Sequence, residues 1–314
     1  MNIQKMIVSV FYVLKPIIPR SMQIGLRRIL VRLRRRKHVD IWPILKTAGK
    51  QPQGWSGWPH GKKFAFILTH DVDTARGQKR CYQLMELEEN LGFRSAFNFV
   101  PERYSVSAEL REDLIKHGFE VGVHGLNHDG KLFRSRKIFN ERSEKINHYL
   151  AAWNAVGFRS PAMHHNLEWI HDLNIEYDMS TFDVDPFEPQ SDGVNTIFPF
   201  QVTGGSNGAG YVELPYTLPQ DFTLFILMQE TDVSIWQQKL DWIASRGGMA
   251  LLNTHPDYMR FSADKMEEEV YTVNLYKEFL EHVRRRYEDF YWHVRPCEIA
   301  AYISKPPLNY LTTG

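Results

Sequence analysis

The 314-residue chain has room for one large α/β domain or two smaller ones, and its 43% apolar and 24% charged residues are those of an ordinary globular protein. Two cysteines, Cys81 and Cys297, exclude a disulfide framework. The formal net charge of +1 hides an asymmetry: ten basic residues lie between Lys5 and Lys37 and no acidic residue precedes Asp40, so the remainder is acidic overall.

Residues 6–14 are apolar but too few to span a bilayer. From Arg27 to Lys37 bases interleave with Ile29, Leu30, Val31 and Leu33, which predicts a basic amphipathic helix. Residues 1–39 are therefore expected to lie outside the barrel and to meet an anionic membrane surface. The rival reading is a helix packed on the domain with its arginines in solvent. No small-residue cleavage site follows the apolar run, so no cleavable signal peptide is expected. The expected location is cytoplasmic, peripheral on the inner face of the membrane. No nucleic-acid partner is expected, because no nucleic-acid-binding fold accompanies the charge.

Residues 41–63, rich in Pro, Gly and Trp, read as an irregular lead-in, which sets the first segment as 1–63. From Phe64 strands and helices alternate. Strands are predicted at 64–69, 94–100, 119–124, 158–160, 176–181, 211–215, 249–254 and 291–295. Helices are predicted at about 77–91, 107–117, 137–156, 166–173, 232–245 and 269–287, with a last short one after 295. Residues 186–209 read as a long loop. This alternation predicts an α/β fold, a distorted (β/α) barrel of about seven parallel strands over 64–305, with a tail at 306–314.

The chemistry gathers at strand ends. The first strand closes in Asp71 and Asp73, and the third in His124 with His128 four residues on. The fourth strand supplies Arg159 and then Pro161; the fifth brings Asp178, then Asp183 and Asp185; His255 and Asp257 follow the strand at 249–254. In a barrel these ends share one mouth. On a helical turn, His124 and His128 would face one way. Two His and one Asp leave coordination positions open, which suits a catalytic divalent ion such as zinc. A further carboxylate and a further His would then supply base and acid for hydrolysis of an amide or ester.

These motifs resemble those of the polysaccharide deacetylases, the NodB-homology or carbohydrate esterase group. Thr69-His70-Asp71-Val72-Asp73 is similar to the group's Asp-x-Asp motif, His124-Gly125-Leu126-Asn127-His128 to its His-x-x-x-His, and Arg159-Ser160-Pro161 to its Arg-x-Pro. Asn253-Thr254-His255 departs from the Leu-x-His form, placing Asn where an apolar residue would line an acetyl pocket. The resemblance covers roughly 64–300. It implies Asp71 as general base, Asp73, His124 and His128 as ligands of one divalent ion, with Zn²⁺ expected, and Arg159 as the partner that keeps Asp71 ionised. It implies His255 as general acid, oriented by one of Asp178, Asp183 or Asp185, with Asp185 taken as the catalytic choice. His164 and His165 are weaker candidates for extra ligands, His70 is a packed spacer or a tuner of Asp71, and Tyr216 borders the sugar groove or packs in the core.

The implied activity is removal of an N-acetyl group from an amino sugar in a bacterial surface glycan or its precursor. The alternatives are hydrolysis of a non-sugar C–N bond on the same fold, and a glycan-binding protein whose catalysis has decayed.

Overall fold

The computed structural model describes residues 20–204, 210–261 and 269–304. The expected tail at 306–314 and the apolar run at 6–14 lie outside them. In chain order the elements are α1 (Arg20–Lys37), β1 (Phe64–Val72), α2 (Ala75–Asn90), β2 (Ser95–Phe99), α3 (Ala108–Lys116), β3 (Glu120–His124), α4 (Arg136–Trp153), β4 (Gly157–Arg159), α5 (Leu167–Ile170) and β5 (Tyr177–Asp178). Then come β6 (Phe200–Val202), β7 (Tyr211–Glu213), a π-helix (Phe222–Met228), α6 (Ser234–Arg246), β8 (Met249–Thr254), β9 (Met259–Arg260), β10 (Tyr271–Thr272), α7 (Val273–Tyr287), β11 (Tyr291–His293) and α8 (Pro296–Ile303).

The sheet curls into a distorted (β/α) barrel. Its wall runs β8–β1–β2–β3–β4–β5–β7–β6, with β11 beside the first half of β1. Every pairing in it is parallel except that of β6 with β7. Single bridges, Phe182 to Tyr216 and Leu218 to Leu252, lead the wall back toward β8.

β1 is the axis of the design, with all nine of its residues buried. Its side chains alternate between faces, as a pleated strand requires. Phe64, Phe66, Leu68 and Val72 join the core between barrel and helices. Ala65 and Ile67 join the barrel interior with Met179, Leu214, Met249 and Leu251. Burying each Phe contributes roughly 1.5–3 kcal/mol. The next inward positions are Thr69 and Asp71, so the alternation that fills the core also aims a carboxylate into the mouth. His70 faces outward: Nδ1 bonds Thr254 Oγ1 and Nε2 bonds Glu88 Oε1, each at 2.7 Å. Glu88 also accepts from Ser95 Oγ at 2.6 Å and from the Tyr276 hydroxyl. His70 is thus a packed structural residue on the far face of the strand.

Helix termini follow local chemistry. Thr74, Ser107, Ser135 and Thr272 cap α2, α3, α4 and α7, each accepting a backbone N–H of the first turn. Several predicted elements shift, among them the helix expected at 166–173, which is Leu167–Ile170. The helix expected from 269 starts at Val273, because Tyr271–Thr272 pairs with Met259–Arg260. The strand expected at 176–181 shortens to Tyr177–Asp178, and the loop expected at 186–209 holds β6. The apolar run Phe222–Met228 has no helical or strand period, and it winds as a π-helix behind Asp221. The Trp-rich lead-in packs on the barrel, with Trp58 Nε1 donating to Gly247 O at 2.8 Å and its ring near Trp55 and Trp292.

Candidate active site

Asp73, His124 and His128 come together at the ends of β1 and β3. One ligand atom from each lies within 4.8 Å of the others, the only such cluster among the described residues. His128 Nε2 is 3.0 Å and His124 Nε2 3.5 Å from Asp73 Oδ1. That buried oxygen has no further polar partner. Burial alone would raise the Asp73 carboxyl, but His128 and His124 beside it hold it well below the usual carboxylate range. The His124 ring is oriented from behind, Nδ1 donating to Arg159 O at 3.0 Å, which leaves Nε2 as the ligand atom. A buried carboxylate oxygen facing two imidazole nitrogens fits a divalent ion.

The segment joining the two histidines is a bend and not the expected helical turn. Gly125 has φ +60° and His128 φ +54°, and these two left-handed residues bring the rings to 5.2 Å between centroids. Gly125 is required twice over, since a Cβ there would also sit 2.4 Å from Pro161 Cδ. The Asp73 backbone is anchored as well, its N–H donating to Asp257 Oδ2 at 2.9 Å. Asp257 also accepts from the Thr74 hydroxyl, and a Cβ on Gly77 would meet Asp257 Oδ2 at 2.1 Å. Gly77 therefore serves the close approach of a carboxylate to the start of α2.

Asp71 is held by three side chains. Oδ1 accepts from Asn98 Nδ2 at 3.0 Å and from Arg159 at 3.2 Å; Oδ2 accepts from Asn253 Nδ2 at 2.9 Å. His124 Nε2 lies 3.9 Å from Oδ2. Burial pushes the carboxyl up, but His124, Arg159 and His255 together bring it to about 2, so it is ionised at neutral pH. Arg159 is fully buried and fixed in turn by Met179 O at 2.9 Å, Thr69 Oγ1 at 2.8 Å and Asn253 Oδ1 at 2.6 Å. Asn253, the departure from the apolar pattern, does not line an open pocket. Its amide bridges Arg159 and Asp71. Asn98, on the neighbouring strand β2, likewise belongs to the site though no motif pointed to it.

Opposite stands His255, and its partner is not Asp185. Nδ1 bonds Asp221 Oδ1 at 2.7 Å, and the His255 backbone N–H donates to Asp221 Oδ2 at 2.9 Å. The Tyr271 hydroxyl donates to the same Oδ2 at 3.1 Å. Burial disfavours the imidazolium, yet Asp221, with Asp73 and Asp71 beyond it, raises the ring to about 10. Asp221 is legible in the sequence only as a lone acid before an apolar run, the signature of an N-cap. It does cap the π-helix, accepting from Phe222 N at 2.8 Å, and the same carboxylate faces His255.

The three expected acids do other work. Asp185 accepts from the Tyr216 hydroxyl at 2.9 Å and the Phe187 N–H at 2.8 Å, and Asp183 pairs with Lys239 at 2.6 Å. Asp178 accepts from Ser180 Oγ at 2.6 Å, and its β-strand neighbour is Glu213. Among the described residues the carboxylate that bonds His255 is Asp221 and none of these three, because strand spacing alone does not say which acid turns toward it. Tyr216 is buried under Asp185 and Glu188. His165 bonds Met163 O at 2.9 Å, and neither it nor His164 joins the metal-ligand cluster.

No family model matches the chain, and no curated protein matches it. Solved structures do. A structure from Mycobacterium smegmatis named as a polysaccharide deacetylase is 17% identical, with 81% of this chain and 94% of that one covered at a TM-score of 0.63. Puue allantoinase is 13% identical, with 78% and 91% covered at 0.56. A structure from Pseudomonas aeruginosa PAO1, also named as a polysaccharide deacetylase, is 14% identical, with 78% and 92% covered at 0.55.

Proposed function

We propose, from the premise that this chain has the polysaccharide-deacetylase fold, that it is a metal-dependent hydrolase removing the N-acetyl group from an amino sugar of a surface glycan or its precursor. One observation carries the reading: the Asp73–His124–His128 cluster lies beside an ionised Asp71 and faces an Asp221-bound His255. A fold alone does not choose a reaction, but this set of groups is what amide hydrolysis needs.

Asp73, His124 and His128 would hold a divalent ion, with zinc suited to such a donor set, and that ion would supply Lewis-acid polarisation of the amide carbonyl and of water. Asp71 accepts the proton of the attacking water. Arg159 keeps it ionised, while Asn98 and Asn253 fix the direction of its oxygens. An amine leaves poorly unless protonated, and His255 gives it that proton. With Nδ1 committed to Asp221, Nε2 is the nitrogen free to donate. Asp221 thereby fixes the tautomer and stabilises the imidazolium, as a buried Asp does in hydrolase triads. A decayed binding protein is disfavoured by the same inventory, since base, ligands, Arg and acid are all in bonding positions.

The test is acetate release from N-acetylglucosamine oligomers by protein loaded with Zn²⁺, with allantoin as the competing substrate. Acetate release that vanishes in Asp71→Asn at unchanged metal content supports the reading. Turnover of allantoin alone would move the chain to non-sugar C–N chemistry.

A further inference from the structure

Helix α1 has two working faces. Ile24 and Val31 are buried against the protein. Arg28 Nε donates to Ile226 O at 2.9 Å, Arg34 to Pro186 O at 3.1 Å, and Arg27 lies 4.7 Å over the Phe222 ring. Arg35 pairs with Glu230. Much of the positive charge in this segment is thus spent on the π-helix and its surroundings.

The outward face is apolar. Met22, Leu26, Ile29, Leu30 and Leu33 are between 46% and 59% exposed. At 3.6 residues per turn they fall within about 100° of the helix circumference. They make up five of the nine exposed large apolar side chains among the described residues; of the other four, Val39 lies two residues past the helix and Tyr82, Ile115 and Phe290 are scattered. A helix packed on its domain ordinarily turns polar residues to water. Arg32 donates to Gln229 Oε1 at 3.2 Å, whereas Arg36 and Lys37, both exposed, border or end the apolar stripe, and no acidic residue precedes Asp40.

We infer that this face docks on an anionic lipid bilayer, the apolar stripe entering the acyl boundary and Arg36 and Lys37 meeting lipid phosphates. Charge complementarity selects the occupant: a stripe flanked by bases alone fits an anionic interface. The helix packs on the π-helix that Asp221 caps, which ties the docking face to the partner of His255. Phe222, under Arg27, packs on Tyr258 at 4.8 Å, and Tyr258 packs on His255 at 5.4 Å. The inference does not depend on which bond the site cleaves.

The test is cosedimentation of the full chain with vesicles of phosphatidylcholine, with and without phosphatidylglycerol. Binding to the anionic vesicles, weakened by added salt, is expected. The variant Leu26→Gln/Ile29→Gln/Leu30→Gln/Leu33→Gln should bind at least roughly tenfold more weakly with its melting temperature unchanged. Should that variant fail to fold, Arg36→Gln/Lys37→Gln supplies the second arm, with binding to anionic vesicles alone reduced. Three results overturn the inference: no binding by the wild type, undiminished binding by the stripe variant, or a lipid-free self-association that the stripe variant abolishes. The second would assign binding to residues 1–19, and the third would make a second copy the occupant.

Discussion

Two sets of buried carboxylates end strands of the same barrel, and they are held in opposite states. On β1, Asp71 is drawn down to about 2 and Asp73 lies well below its ordinary value. Across the barrel, on β5 and β7, Asp178 and Glu213 are both pushed up by burial. Both sets are buried, and burial raises the carboxyl in each. The difference is company. Asp71 has Arg159 and His124, and Asp73 has two imidazoles, whereas Asp178 and Glu213 chiefly have each other and a few hydroxyls and amides. Two carboxylates facing each other out of water share a proton, while a carboxylate facing a cation gives its proton up. The first set is drawn toward the ionised form and the second toward the protonated form.

The comparison breaks most completely at the metal cluster. His124→Ala or His128→Ala is expected to abolish both bound metal and turnover, as read by metal analysis and by acetate release. Metal retained at full stoichiometry in either variant would sink the ligand assignment. Next in size is Asp71→Asn. It should lower kcat by at least about 100-fold with metal still bound, the range of a lost general base.

A sharper cut compares two acids of similar burial. Asp221→Asn should lower kcat by roughly 100-fold, because His255 loses the group that fixes its tautomer. Asp185→Asn should leave kcat within about threefold, since Asp185 bonds Tyr216 and a backbone amide. Equal losses in the two would return the orienting role to the loop that carries Asp185.

The smallest effect is on stability. Glu213 and Asp178 have folded-state pKa values above their ordinary ones, so their contribution is complete in acid and is lost as pH rises from about 4.5 through the raised values. Wild-type melting temperature should fall across that window. In Glu213→Gln the amide can still accept from Thr181 and can donate to an ionised Asp178, which removes the need for a shared proton. The variant should melt over a flatter pH profile, with a gain of roughly 2–4 °C on the alkaline side for each 1 kcal/mol recovered. A pH profile unchanged from the wild type would mean that the pair does not share a proton.

The sequence by itself determined the alternation of strands and helices, and with it the barrel, because period and punctuation are local properties of the chain. It also marked Asp71, Asp73, His124, Arg159 and His255, because each stands within a residue or two of a strand end, and His128, because it repeats a His four residues after one of those ends. What it left undecided follows from contacts between segments far apart. The bend at Gly125 and His128 depends on Pro161 filling the space a side chain would need. The π-helix depends on what Asp221 meets, 34 residues away in the chain. Asn253 reads as a break in an apolar pattern until Arg159 and Asp71 are seen on either side of it. The two faces of α1 are indistinguishable in composition, since apolar residues and bases occur on both. Only packing decides which arginines are spent on the protein and which apolar side chains remain outside. Local pattern places a residue at the mouth; which partner it meets there is a property of the closed barrel.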